Sequence, residues 1–266
     1  MNRTINKVKI FANDNAISNE VSAKLKAILL ANNFELVEKD PDLSIAIGGD
    51  GSCLRMVKSC EFNSNTYYVG VNSGTLGFLQ EVKISDIDSF VEDLNNNKYR
   101  IEEVGIQETE IATDDQIYRY YTLNEIVIRE KDLNTVILEL RINNACLERY
   151  IGDGILIATS IGSTAYNLSF GGSIVVNKLH TLQITPIAPL NNKAYRNLLN
   201  SVVLPEDTEI EIVPIKRDLL VSIDGENIVF NNVKYIKTDV KNKRIKFLRL
   251  EHYDFYEKIN EKFLAN

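Results

Sequence analysis

The sequence predicts an α/β domain with a mostly parallel sheet, then a β-rich domain, and a closing C-terminal helix that packs back on the first domain. Three observations carry this. Apolar runs (VKIFA, LSIAI, YYVGV) alternate with helical stretches over roughly the first hundred residues. Beyond them, segments rich in β-branched and aromatic residues follow one another with turn signals between. Last, YDFYEKINEKFLA sets Phe255, Ile259 and Phe263 at helical spacing.

Taken in order, VKIFA is a first strand and a helix covers about Ser18–Asn32. LSIAI is a second strand, with a helix from about Ser52. YYVGV precedes a helix near Ile84–Leu94, and Asn95–Tyr99 reads as a connector. Apolar strands separated by helices imply parallel pairing with both sheet faces covered. YRYYTLNEIVIRE, TVILELRINNACLERY, TEIEIVPI, LLVSIDG and NIVFNNVKYIKT then read as strands. The expected domains are 1–100 joined by about 252–266, and 101–251.

At 266 residues, 44% hydrophobic and 25% charged, the chain has ordinary globular composition. A formal net charge of −7 and the lack of a basic, aromatic-interleaved run argue against nucleic acid as a partner. No stretch approaches the roughly 20 apolar residues of a membrane span, and the N-terminus has no apolar leader core, so the cytoplasm is the expected location and no membrane partner is expected. Cys53, Cys60 and Cys146 form no CxxC pair and read as buried reduced thiols. Two histidines and no HExxH leave proton transfer to carboxylates and predict no metal held by a dedicated protein cluster.

Three glycine-rich segments stand out. LSIAIGGDG runs from a strand through a glycine turn into a helix, and such a helix N-terminus offers amide N–H groups to a phosphate. Asp50 is the anomaly in that cradle. It either N-caps the helix or faces a hydroxyl or a magnesium ion, as phosphoryl transfer would require. Neither GxxxxGK[ST] nor GxGxxG is present. A second loop, Gly70–Leu79, follows the next strand; it is a plain connector, or it shares a ligand with the first loop at the carboxyl edge of the sheet. The third segment, Gly152–Gly172, joins Asp153 to a Gly-Ser-Thr-Ala-Tyr-Asn turn whose hydroxyls and tyrosine suit sugar and base, although Tyr166 alone also fits a core. Asn124 and Glu125 interrupt a strand pattern, and in a regular strand only one of them faces a given side.

Together IGGDG, GTLGF, LNE and DGxxxATxxGSTAYNxSxGG, in this order and over nearly the whole chain, resemble the NAD kinase family, enzymes that make NADP from NAD with ATP or polyphosphate. PLNNKAYR is similar to the short bacterial members. The resemblance implies an α/β domain, a β domain and a dinucleotide site between them. It implies Asp50 as the base on the adenosine-ribose 2′-hydroxyl, beside Gly51. It also implies NAD contacts from Arg55, Phe78, Asn124, Glu125, Asp153, Thr164, Ala165, Tyr166, Asn167, Ser169, Ala188 and Asn192. Arg55 reads equally as a solvated surface arginine. Ile151 and Ile161 replace polar residues common in the family, which predicts weaker dinucleotide binding, and Gly225 stands where some members carry histidine.

The implied partners are NAD, ATP or polyphosphate with Mg2+, and further copies of the chain as a dimer or tetramer. The alternative activities are a kinase of a lipid or sugar hydroxyl using the same GGDG cradle, and a dinucleotide sensor without turnover. No exposed apolar stripe favours the lipid, and a binding-only protein has no need of Asp50.

Overall fold

The computed structural model describes residues 4–74, 77–241 and 243–265; two residues of the second glycine-rich loop, 75 and 76, lie outside them. The chain forms two compact units, Met1–Val104 with Arg244–Asn266, and Gly105–Lys243.

The first unit begins with β1 (Lys7–Ala12) and α1 (Ala16–Ala31). Asn15 caps α1, its Oδ1 accepting the Ser18 N–H at 2.9 Å. There follow β2 (Glu35–Leu36), β3 (Leu43–Gly48), α2 (Asp50–Ser59), β4 (Tyr67–Asn72), β5 (Gln80–Lys83), α3 (Ile87–Asn95) and β6 (Tyr99–Gly105). The connector expected at Asn95–Tyr99 shrinks to the residues between α3 and β6.

In the second unit come β7 (Gln107–Thr113), β8 (Ile117–Thr122), β9 (Glu125–Glu130), β10 (Val136–Ile142), β11 (Ala145–Gly152), β12 (Gly154–Thr159) and a single turn, α4 (Tyr166–Ser169). It continues through β13 (Thr181–Ile187), β14 (Val202–Pro205), β15 (Ile210–Pro214), β16 (Leu219–Ile223), β17 (Glu226–Phe230) and β18 (Val233–Asp239). The chain then returns to the first unit as β19 (Arg244–Leu250) and α5 (Phe255–Phe263).

The sheet of the first unit has the order β2-β1-β3-β4-β19-β6, with β5 also on β4. Pairs β1/β2, β1/β3, β3/β4, β4/β5 and β4/β19 are parallel. β3 is buried along its whole length, as a parallel strand covered on both faces must be. Leu25 and Leu29 of α1 and Ile87 and Phe90 of α3 pack with Val8, Ile45 and Val69 in one core. The return from the second unit comes at Arg244, earlier than the expected residue 252. RIKFLRL alternates like any strand of the β-rich half, and its parallel seat beside β4 rests on long-range pairing that periodicity does not encode.

The second unit holds two antiparallel sheets, β11-β10-β15-β18-β7-β8 and β14-β13-β12-β9-β16-β17. Their inward residues, among them Leu138 and Tyr150 from one and Ile126, Ile155 and Ile157 from the other, share a core. β12 is buried at every position, because Leu156 and Ala158 on its other face lie with Val127, Ile187 and the partly buried Phe170. Two hairpins turn at Asn143-Asn144 and Asp224-Gly225, each pair at positive φ. Cys53 is buried, but Cys60 is only partly so and Cys146 is exposed at the start of β11, contrary to the expectation of three buried thiols.

Candidate active site

In a parallel sheet the loops after successive strands open at one edge, and here the loops after β3 and β4 meet through Asp50. Gly49 is the N-cap of α2, and no side chain caps the helix. Asp50 stands in the first turn with its carboxylate turned to the second loop: Oδ2 accepts the Phe78 N–H and Oδ1 the Leu79 N–H, both at 3.0 Å. The N-cap alternative for Asp50 is therefore not the one realised. Lys262 Nζ lies 3.9 Å from Oδ2, and the Asp50 side chain keeps 31% exposure. Each oxygen has spent one acceptor direction on an amide and has another left. A Cβ on Gly77 would overlap this carboxylate, so glycine at 77 permits the approach of the two loops.

Gly51 is exposed beside Asp50. Arg55, one turn along α2 and exposed, donates to Asn13 Oδ1 at 2.7 Å and to Ser52 Oγ at 3.3 Å. The ring of Phe78, an expected NAD contact, packs with those of Phe255 and Phe263, with Lys262 Nζ 5.4 Å from its centroid. The apolar face of α5 takes the ring, and what Phe78 gives the site is its amide. Cys53, buried behind the turn, has its thiol pushed up to about 12 by burial and then by the charge of Asp50.

The second unit gathers another group. Asp224, at φ 46°, accepts the amide N–H groups of Leu123 at 2.8 Å, Asn124 at 2.7 Å and Glu125 at 3.3 Å. Asn124 and Glu125 are 8% and 6% exposed. Glu125 Oε2 has no hydrogen-bond partner among the described residues. Burial first, and then the charge of Asp224, push the Glu125 carboxyl up to about 8, against the Tyr166 N–H that donates to it. Glu125 is thus protonated at neutral pH and can offer as well as accept a hydrogen bond.

The Gly-Ser-Thr-Ala-Tyr turn sits on this strand end. Thr159 Oγ1 donates to Leu123 O at 2.6 Å and accepts the Gly162 N–H at 3.2 Å. A Cβ on Gly162 would overlap the Asn124 carbonyl, so glycine at 162 is what brings turn and strand together. Thr164 and Ala165 are half-buried and Ser169 is exposed. Tyr166 is 44% exposed, stacked edge-on against Phe170, with its hydroxyl 3.4 Å from Arg129 Nη2. Asn167, an expected NAD contact, already has protein partners. It is wholly buried, with Nδ2 on Ser163 O at 3.3 Å and Oδ1 accepting from Thr185 Oγ1 at 2.6 Å, so its amide fastens the turn to β13. Ile161 is buried as a core residue.

Asp153 is exposed between the buried Gly152 and Gly154, and its N–H donates to Ile187 O at 3.0 Å, which sets it beside the exposed Ala188 at φ 45°. Asn192 is exposed and caps its own turn, accepting from Ala194 N at 2.8 Å and Tyr195 N at 3.0 Å. Among the described residues no cluster of three His, Cys, Asp or Glu side chains can hold a metal ion, and no helix is long and apolar enough to cross a membrane. Asp224 and the cations of α5 were not singled out as functional from the sequence. Asp-Gly at 224–225 signals a hairpin turn, but not the three amides its carboxylate collects.

Comparison with known proteins shows the family. Residues 8–99 match the model of the ATP-NAD kinase N-terminal domain, and residues 123–249 that of the ATP-NAD kinase C-terminal domain. The chain belongs to the NAD kinase family. It is 36% identical to an NAD kinase of Finegoldia magna, over 99% of this chain and 100% of that one. It is 31% identical to one of Leuconostoc mesenteroides, over 97% and 98%. Among solved structures, yeast NADH kinase complexed with NADH superposes at TM-score 0.86 and 21% identity, covering 99% of this chain and 89% of that one. An NAD kinase from Archaeoglobus fulgidus in complex with ATP superposes at 0.77 and 20%, covering 97% and 99%.

Proposed function

We propose that this protein transfers the γ-phosphoryl group of ATP to the adenosine-ribose 2′-hydroxyl of NAD, giving NADP and ADP. The observation that carries the reading is the Asp50 carboxylate, fixed by two backbone amides in the first turn of α2 and still partly exposed. Asp50 accepts the hydroxyl proton as the oxygen bonds to phosphorus and the bond to the ADP oxygen breaks. The uncapped N-terminus of α2 and Gly51 offer amides to phosphate oxygens. In a loose phosphoryl-transfer transition state, such positioning outweighs proton removal.

In the second unit, Asn124 and Glu125 hold the adenosine and ribose hydroxyls, Tyr166 stacks on a base, and Asp153, Thr164, Ala165, Ser169, Ala188 and Asn192 complete the dinucleotide contacts. Arg55 pairs with a phosphate. Magnesium enters as MgATP. The partly exposed Asp50 carboxylate at the turn suits an ion held mainly by nucleotide phosphates. Polyphosphate is a second donor of the same chemistry. The enzyme works in the cytoplasm as a homo-oligomer. Matches to both domain models of the family favour this reading over a lipid or sugar kinase and over a sensor.

The test is to incubate the pure protein with MgATP and NAD and follow NADP through a coupled dehydrogenase. NADP formation that needs both substrates supports the reading. NAD binding without conversion, or ATP consumption driven only by a lipid or sugar, overturns it.

A further inference from the structure

We infer that Lys258 on the C-terminal helix is a positioning residue for Asp50, holding the 78–80 backbone whose amides fix the carboxylate. This rests on the role proposed above for Asp50.

The geometry forms a closed chain within the first unit. Lys258 Nζ donates to the carbonyl oxygens of Phe78, at 3.4 Å, and of Gln80. Those two carbonyls bracket Leu79, whose N–H, with that of Phe78, holds Asp50. One ammonium group therefore pins both ends of the short backbone stretch that presents two donors to the carboxylate. The same helix grips Phe78 from the other side with the rings of Phe255 and Phe263. Lys258 is itself held: its side chain is 12% exposed, with Glu81 Oε2 at 3.7 Å and the Tyr253 ring centroid at 4.8 Å. The helix is anchored at its start, where Asp254 Oδ1 accepts the N–H groups of Tyr256 and Glu257.

A positively charged residue buried at this cost needs a reason. The charged groups facing it are Arg249 of β19, Glu81 of β5 and Asp50 of α2, and burial followed by the Arg249 charge lowers its pKa to about 8. Tyr253 faces it as well, and His252, Glu257 and Glu261 border the same cavity of about 270 Å³. A leucine or methionine would fill the position without that penalty but would leave the two carbonyls unheld.

Lys258→Met and Lys258→Arg are compared with the wild type as full-length protein, reading kcat, the Kd for NAD and Tm. A carboxylate displaced by about an ångström loses on the order of 10²-fold in rate. Lys258→Met is therefore expected to lower kcat at least tenfold with the Kd for NAD within about twofold, and Lys258→Arg, which keeps donors, to recover most of the loss. Equal losses in kcat and NAD affinity, or unchanged kcat, overturn the inference. If Lys258→Met does not fold, the pH dependence of kcat decides. A wild-type fall above about pH 8 that disappears in Lys258→Arg supports the role, and a profile unaltered by the substitution overturns it. Should wild-type turnover prove indifferent to Asp50→Asn, the reading of Asp50 itself fails; turnover that needs Asp50 but not Lys258 removes only the present inference.

Discussion

Asp224 Oδ1 accepts the Asn124 N–H at 2.7 Å, joining residues 100 positions apart, so that a hairpin turn fixes the strand end expected to meet the dinucleotide. Asp224→Ala strands three amides and puts alanine at φ 46°, where aspartate is better tolerated. Hydrogen bonds to charged groups are worth roughly 1.5–3 kcal/mol each, so a loss of about 3 kcal/mol is expected from this half-buried site, with weaker NAD binding. Asp224→Asn, which keeps one acceptor and tolerates the backbone, should lose less of both. Urea unfolding and NAD titration check this.

Asp50→Asn places an NH2 group opposite either the Phe78 or the Leu79 N–H, so one of two hydrogen bonds is lost, at about 1 kcal/mol. With the base removed, kcat should fall by roughly 10²–10⁴ while NAD affinity changes little. Steady-state kinetics beside a binding isotherm separates the two effects.

Glu125 keeps its proton up to about 8 in the folded protein, against a usual value near 4.5. Between these values the folded state binds more protons than the unfolded one. The stability that Glu125 contributes is full below about pH 4.5 and is lost as pH rises through about 8. Glu125→Gln does not titrate, so its stability should gain on the wild type by up to roughly 1.4 kcal/mol per pH unit within this window, as read by denaturant unfolding at pH 5, 6.5 and 8.

Arg249 is buried in the first unit, with Nη1 3.2 Å from Glu81 and Nε 2.8 Å from Glu102. Arg249→Met removes the cation that Glu81 and Glu102 share, leaving Lys258 3.7 Å from Glu81, and should cost about 3–5 kcal/mol. Replacing all three by apolar residues of similar volume should restore most of it. Thermal unfolding of the single and triple variants provides the comparison.

Much of this was legible in the sequence. LSIAIGGDG declared a strand, a turn and a helix, because apolar continuity and glycine each have a local physical cause, and the alternation of strands and helices fixed a parallel sheet for the first unit. What Asp50 binds was not legible. Its partners are backbone amides 28 and 29 residues away, and an amide carries no residue identity. Phe78 and Asn167 show the converse. Both are residue types that suit a ligand, and what they pack on was not legible: the ring on α5, the side-chain amide on β13. β19 falls within the bounds 101–251 expected for the β-rich half, since alternation states which face is buried and not which neighbour is paired.

The place of β19 between β4 and β6 bears on synthesis by the ribosome. Residues 105–243 are contiguous and can close as soon as they emerge, whereas the earlier-made sheet waits with β4 and β6 unjoined until residues 244–250 arrive. The nascent amino-terminal half therefore carries a ladder edge covered on β4 only by β5 for longer than its position suggests, and a product released early, lacking β19 and the helix beyond it, is left to chaperones and proteases.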